Sequence, residues 1–192
     1  MRRVHAAAAI VLIGCSAGPS SDDLVPPPGP LLRFDRAVLL EPTAETSANV
    51  SVGDLDRDGH LDILLVKGRH WPLLDMKLMG DGRGGFRPAR PLGEVADRSY
   101  SGELVDLDAD GDLDAVVSND LPDPKLTYLN DGRGEFTAGT TFGRPEWPTR
   151  HVTVADLDGD GLPDIVVANR TGDSGRSSHV CLNRGGGRFD GD

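Results

Sequence analysis

Short apolar runs bounded by Gly and Asp recur along the chain. Residues 50–52, 102–105 and 152–155 each lead into a stretch of alternating Asp, and a second apolar run follows at 63–66, 115–117 and 165–168. Further on, residues 125–129 and 179–182 read as strands entering Gly-rich turns. Runs this short, rich in Val and Ile and closed by turn residues, predict β-strands. No segment shows a convincing 3.6-residue period, so helix content should be very low.

Self-comparison shows that these strands are units of a repeat. Asp54-Leu-Asp-Arg-Asp-Gly-His-Leu-Asp62 returns as Asp106-Leu-Asp-Ala-Asp-Gly-Asp-Leu-Asp114 and as Asp156-Leu-Asp-Gly-Asp-Gly-Leu-Pro-Asp164, at offsets of 52 and 50 residues. A second motif follows each copy: Gly80-Asp-Gly-Arg-Gly-Gly-Phe86, Asn130-Asp-Gly-Arg-Gly-Glu-Phe136 and Asn183-Arg-Gly-Gly-Gly-Arg-Phe189. One unit reads strand, Asp loop, strand, variable loop, strand, Gly turn, strand. Glycines supply positive φ for the tight turns, and the Phe after each turn opens a fourth strand and plugs the gap between neighbouring sheets.

Four short strands per repeat is the arithmetic of a propeller blade. The expected fold is all-β: a partial, three-blade β-propeller of four-stranded antiparallel blades, over residues 31–192, with repeats at about 41–92, 93–142 and 143–192. Phe34, Ala37 and Leu40 share the spacing of Phe86, Ala89 and Leu92, so residues 31–40 resemble a lone fourth strand. Three blades and a strand fall short of the usual ring of four to eight. A truncated sequence, an association of copies and an open arc are all compatible with this count; truncation is the favoured expectation.

The chemistry lies in the Asp loops. In D-x-D-x-D-G-x-x-D, side chains at positions 1, 3 and 5 converge and Gly at position 6 permits a sharp reversal. The position-7 carbonyl (His60, Asp112 or Leu162) faces the same point, and Asp at position 9 closes the far side. Hard oxygen donors in a flexible loop select Ca²⁺, whereas Mg²⁺ demands tighter octahedral geometry. An acidic solvated turn is the plain alternative, but carboxylates this close repel unless a cation or protons intervene. An EF-hand fails, because position 12 is Leu65, Val117 or Val167 rather than Glu, and flanking helices are missing. Three copies also argue against catalysis, for which one site suffices.

These motifs resemble FG-GAP repeats, also called VCBS repeats, found in the propeller of integrin α subunits and in many bacterial secreted proteins. The resemblance covers roughly residues 31–192. It implies Ca²⁺ ligation, about three sites in all, by Asp54, Asp56, Asp58 and Asp62, by Asp106, Asp108, Asp110 and Asp114, and by Asp156, Asp158, Asp160 and Asp164. The chain departs from the pattern in blade number, at Gly80 where the other turns carry Asn, and at Pro163 beside the last ligand.

Charge narrows the partners. Lys and Arg number 20 against 31 Asp and Glu, and 25 of the 31 are Asp, a bias toward sites that need the shorter carboxylate. A net charge of −11 leaves no footprint for nucleic acid or anionic lipid. The N-terminus adds an address. Arg2 and Arg3 precede a short apolar run ending in Leu12-Ile13-Gly14-Cys15. The run is too brief to span a bilayer and suits a signal-peptide h-region. It resembles the bacterial lipobox, which implies a signal peptide over 1–14, a lipid on Cys15, and membrane attachment through that lipid alone. Ser16 after the Cys leans toward the outer membrane. Residues 15–30, rich in Pro, read as an extended tether. Cys181 is then the one thiol left, an inert buried residue by its apolar setting.

Three functional readings remain at this level. The first is a binding or adhesion module, with a protein or glycan ligand on the variable loops 67–76, 118–125 and 169–178. Trp71 and Trp147 suit sugar stacking there, with packing between blades as the commoner role. The second is a non-catalytic piece of a larger secreted enzyme such as a polysaccharide lyase or hydrolase. No nucleophile or metalloprotease motif stands out, and the His residues are scattered. The third is a bare structural fragment whose function resides in other domains.

Overall fold

Gly and Asp punctuation holds every strand to seven residues or fewer. In a computed structural model, which describes residues 37–170 and 177–190, eleven strands form three antiparallel sheets. By internal packing the chain divides into Met1–Ala37 and Val38–Asp192. Of the first unit the described residues include only Ala37, which is exposed. The leader at 1–14, Cys15, the tether at 15–30, residues 31–36 and most of the 169–178 loop lie outside the described residues.

The first sheet holds β1 (Ser47–Gly53), β2 (Asp62–Lys67), β3 (Met76–Leu78) and β4 (Arg90–Pro91) in chain order. The second holds β5 (Ser99–Val105), β6 (Asp114–Asn119), β7 (Lys125–Asn130) and β8 (Phe136–Phe142), again in order. The third holds β9 (Thr149–Ala155), β10 (Asp164–Asn169) and β11 (His179–Cys181) in the order β11-β10-β9. Meandering pairs of this kind are what blades require, and the described residues contain no helix.

Three details correct the sequence expectation. The third sheet has three strands rather than four; beyond its Gly turn, Phe189 makes only an isolated bridge to Asn183. β4 is reduced to two residues, because Pro88 and Pro91 lack the N–H that a ladder needs. Residues 37–40 form no strand, although Leu40 packs against the cluster of Ile63, Leu65 and Leu78.

Packing follows from the middle strands. β2 and β6 are buried along their whole length, with apolar residues at 63–66 and 115–117 and buried polar residues at their ends. Leu64, Val66 and Leu92 of the first sheet meet Ala115, Val117 and Tyr128 of the second. Leu107, Val116 and Phe142 of the second meet Val152, Ile165, Val167 and Cys181 of the third. Gly102 in β5 is held small by this approach: a Cβ there would sit 2.6 Å from a methyl of Val66. Two of the three turn Phe residues fill junctions, whereas Phe86 packs on the first sheet's own cluster of Ile63, Leu65 and Leu78. Phe136 packs on the first of these clusters, and Phe189 meets Phe142 edge to face at 6.3 Å. Cys181 is a buried free thiol whose pKa is raised by burial.

Trp147 belongs to this core as well. It is buried and stacks on His179 with ring centroids 4.1 Å apart. Its carbonyl accepts a 2.6 Å bond from the buried Lys125 ammonium, which also donates to the carbonyls of Arg144 and Pro145. Burial lowers the Lys125 pKa to about 8. Trp147 is therefore a packing residue, and only Trp71, 68% exposed, remains open to a ligand.

Candidate metal centre

Each Asp loop connects the first two strands of its sheet, and the three share most of their hydrogen bonds. The position-1 carboxylate accepts from the backbone N–H of position 6: Asp54 from Gly59 at 2.9 Å, Asp106 from Gly111 at 2.9 Å and Asp156 from Gly161 at 3.0 Å. The position-3 carboxylates of Asp56, Asp108 and Asp158 each lie 3.3 Å from the N–H of position 5. Position 5 accepts from the N–H of position 7: Asp58 from His60, Asp110 from Asp112 and Asp160 from Leu162, each at 2.9 Å. These short Asx links compete with strand pairing and hold the loop in its reversal. Position 4 takes positive φ in every copy, at Arg57, Ala109 and Gly159. A non-Gly residue costs roughly 1 kcal/mol or more there.

Position 9 does something the sequence does not announce. Asp62, Asp114 and Asp164 are fully buried, and both oxygens of each carboxylate accept backbone bonds. One oxygen takes the N–H of position 2, at 2.7 Å from Leu55, 2.9 Å from Leu107 and 2.9 Å from Leu157. The other takes the first N–H of the Gly turn, at 2.7 Å from Gly80, 2.8 Å from Asn130 and 2.8 Å from Asn183. The residue thus ties loop to turn within one sheet. Burial raises the Asp114 pKa to about 6, against the pull of the Asn130 and Leu107 N–H groups.

Carboxylate oxygens within 4.8 Å of one another gather in three groups: Asp54, Asp56 and Asp58; Asp106, Asp108 and Asp114; and Asp156, Asp158 and Asp164. Asp62, Asp110 and Asp160 stand outside these trios. At position 7, the His60 ring lies 3.1 Å from Asp58, and the Asp112 carboxylate pairs with Arg57 of the preceding loop. Burial, then the charges of Asp58 and Asp62, raise the Asp56 pKa. In the first two loops the second oxygen of the position-1 carboxylate, Oδ1 of Asp54 and of Asp106, is buried without a hydrogen-bond partner. Such an orphan is costly unless a cation or water meets it. In the third loop Asp156 Oδ1 instead accepts a 2.7 Å bond from Gly159 N. A buried anionic oxygen beside two further carboxylates fits a hard divalent cation.

The turns clamp sheet to sheet. Asn130 Nδ2 donates to the carbonyl of Leu55 in the previous loop at 2.9 Å, and Asn183 Nδ2 donates to that of Leu107 at 3.2 Å. Asp81 and Asp131 accept backbone N–H bonds across their turns, which hold their carboxyls below the usual range.

The variable β2–β3 connection carries Trp71 and, beside it, His70, which meets Tyr100 edge to face at 5.9 Å. The Arg150 guanidinium lies 3.8 Å from the Tyr100 ring centre. Beneath this surface Asp75 is buried, accepting from Lys67 N at 2.7 Å and from Ser99 Oγ at 2.9 Å. Burial lifts its pKa to about 7, and that of nearby Asp97 to about 6. A carboxyl raised in the fold holds its proton where the unfolded chain releases it. Its stabilising contribution is complete near pH 4 and is lost as pH rises through 7. Asn at position 75 keeps an acceptor for Lys67 N and offers a donor to the Ser99 hydroxyl. Asp75→Asn is therefore expected to be more stable than the parent at pH 8, on the order of 2 kcal/mol, with the gap closing by about pH 5. Urea denaturation at both pH values checks this.

Residues 106–167 match the family model of the FG-GAP-like repeat, a stretch that holds both the second and the third Asp loop. No curated protein matches the chain.

Proposed function

We propose that this FG-GAP-like repeat protein is a calcium-binding, β-propeller-type module that is lipid-anchored at the cell envelope and serves binding, adhesion or scaffolding rather than catalysis. The observation that carries the reading is the buried, unpartnered Oδ1 of Asp54 and of Asp106, each beside two more carboxylates. The holding residues are the three clustered trios, to which the loop pattern adds Asp62, Asp110, Asp160 and the carbonyls of His60, Asp112 and Leu162. These carboxylates would hold a Ca²⁺ ion, whose positive charge would offset the repulsion within each trio.

Anchoring through Cys15 and the Pro-rich tether sets the module off the membrane, on the outer-membrane side by the residue that follows the Cys. The ligand surface is the end of the sheets away from the Asp loops, where the connections differ between repeats. Exposed Trp71, with His70, Tyr100 and Arg150 close by, supports a protein or glycan partner there.

Titration calorimetry on chelator-stripped protein tests the metal reading. The expected result is three equivalents of Ca²⁺, the third weaker because Asp156 Oδ1 already has a partner. Asp56→Asn, Asp108→Asn and Asp158→Asn should each remove one equivalent. Absence of binding at about 1 mM Ca²⁺, the working range of extracellular modules, overturns it.

A further inference from the structure

We infer that the junction between the first and second sheets binds a small ligand carrying a carboxylate, sulfate or phosphate group, in a cavity ringed by Lys77, Arg87, Arg90 and Arg133. The cavity encloses about 280 Å³. Four cations converge on it in a chain of net charge −11, against two acidic side chains, Asp56 and Glu135. The cations are incompletely paired. Glu135 is engaged by Lys77 at 2.8 Å, which leaves Arg90 at 3.9 Å from it and Arg87 at 3.8 Å from Asp56. Those separations exceed hydrogen-bond length, so neither carboxylate takes a hydrogen bond from these guanidinium groups, which can turn their donors to an oxyanion. Arg133 forms no ion pair within 4 Å among the described residues, although its charge acts on the exposed Asp131. Met79 and Pro88 supply an apolar wall, which suits a ring that bears the anion.

The repeat itself shows that the frame does not need this charge. Aligning Phe86 with Phe136 places Thr127, Thr137 and Thr140 at the positions of Lys77, Arg87 and Arg90. Aligning Phe136 with Phe189 places Gly186 at that of Arg133. At the second junction the Thr140 hydroxyl donates to the carbonyl of Gly187. At the first, the Lys77 ammonium donates to the equivalent carbonyl, that of Gly134. One donor to the turn is what the architecture uses, and a threonine provides it. The three arginines have no structural counterpart at the sister junction, and they point to recognition. The arginines lie outside the Asp loops, but Asp56 of the first loop lines the same cavity, so calcium is held constant in the test.

Calorimetry of the full chain at low salt in 1 mM Ca²⁺ tests it, with glucuronate, glucose 6-sulfate, glucose 6-phosphate and glucose as probes. At least one of the charged sugars should bind saturably and glucose should not; the order among the three identifies the preferred oxyanion. Arg87→Thr/Arg90→Thr, which copies the sister junction, should weaken binding at least tenfold while the melting temperature stays within about 2 °C. Arg133→Gly, the other sister residue, is the second variant should the first fold poorly, and it should weaken binding in the same direction. The inference is overturned if no charged sugar binds at about 10 mM, if glucose binds equally well, or if the variants bind like the parent.

Discussion

Excess chelator is expected to lower the melting temperature of this protein by about 10 °C relative to ~1 mM Ca²⁺. The size follows from mass action. A site with a dissociation constant near 10⁻⁴ M contributes roughly 1.4 kcal/mol at that concentration, and three contribute about 4. For a domain of this size each kcal/mol moves the midpoint by about 2–4 °C. The fold should survive the loss, because each loop already satisfies its own backbone through positions 1, 5 and 9. The orphaned oxygens of Asp54 and Asp106 are where the cost of losing the ion is expected to fall. A scan in chelator that shifts by under about 3 °C would rule out a structural role for calcium here.

Asp114→Ala is expected to cost about 2–5 kcal/mol, and nearly as much in chelator as in calcium. The carboxylate is wholly buried and takes the N–H groups of Leu107 and Asn130 at 2.9 and 2.8 Å. Truncation strands both donors, at about 1–3 kcal/mol each. Asn is no remedy, since its amide nitrogen would face one of those donors. Denaturant melts of parent and variant with and without Ca²⁺ separate two roles. A residue that acts chiefly as a ligand loses its effect once the metal is removed; a tie between loop and turn does not.

That second role marks the limit of what sequence reading delivers. Strand positions were readable because Gly and Asp bracket each apolar run, and β2, β6 and β10 fall where those runs stand. The loops were readable because Gly59, Gly111 and Gly161 all adopt positive φ at the sixth position. Positive φ at Arg57 and Ala109 was not, as neither residue favours it and only the closed loop imposes it. Asp at position 9 looks the same in a sequence whether it meets a cation or two N–H groups; only burial separates these uses. The two tryptophans present the same difficulty. Both sit among Pro and charged residues, yet Trp147 lies in a junction and Trp71 at the surface. The cationic cavity is not legible in the sequence, because Lys77, Arg87, Arg90 and Arg133 are scattered over 57 positions and meet only when the sheets dock.

The reach of the Asn clamps has a bearing on the order in which the molecule assembles. Within a sheet, the position-9 ties span 7 to 19 residues, whereas Asn130 and Asn183 bridge to partners 75 and 76 residues away. Closing the short spans carries the smaller entropic cost, so each meander gains structure early and the clamps latch afterwards. Mutating either Asn should accordingly accelerate unfolding while leaving the refolding rate almost untouched.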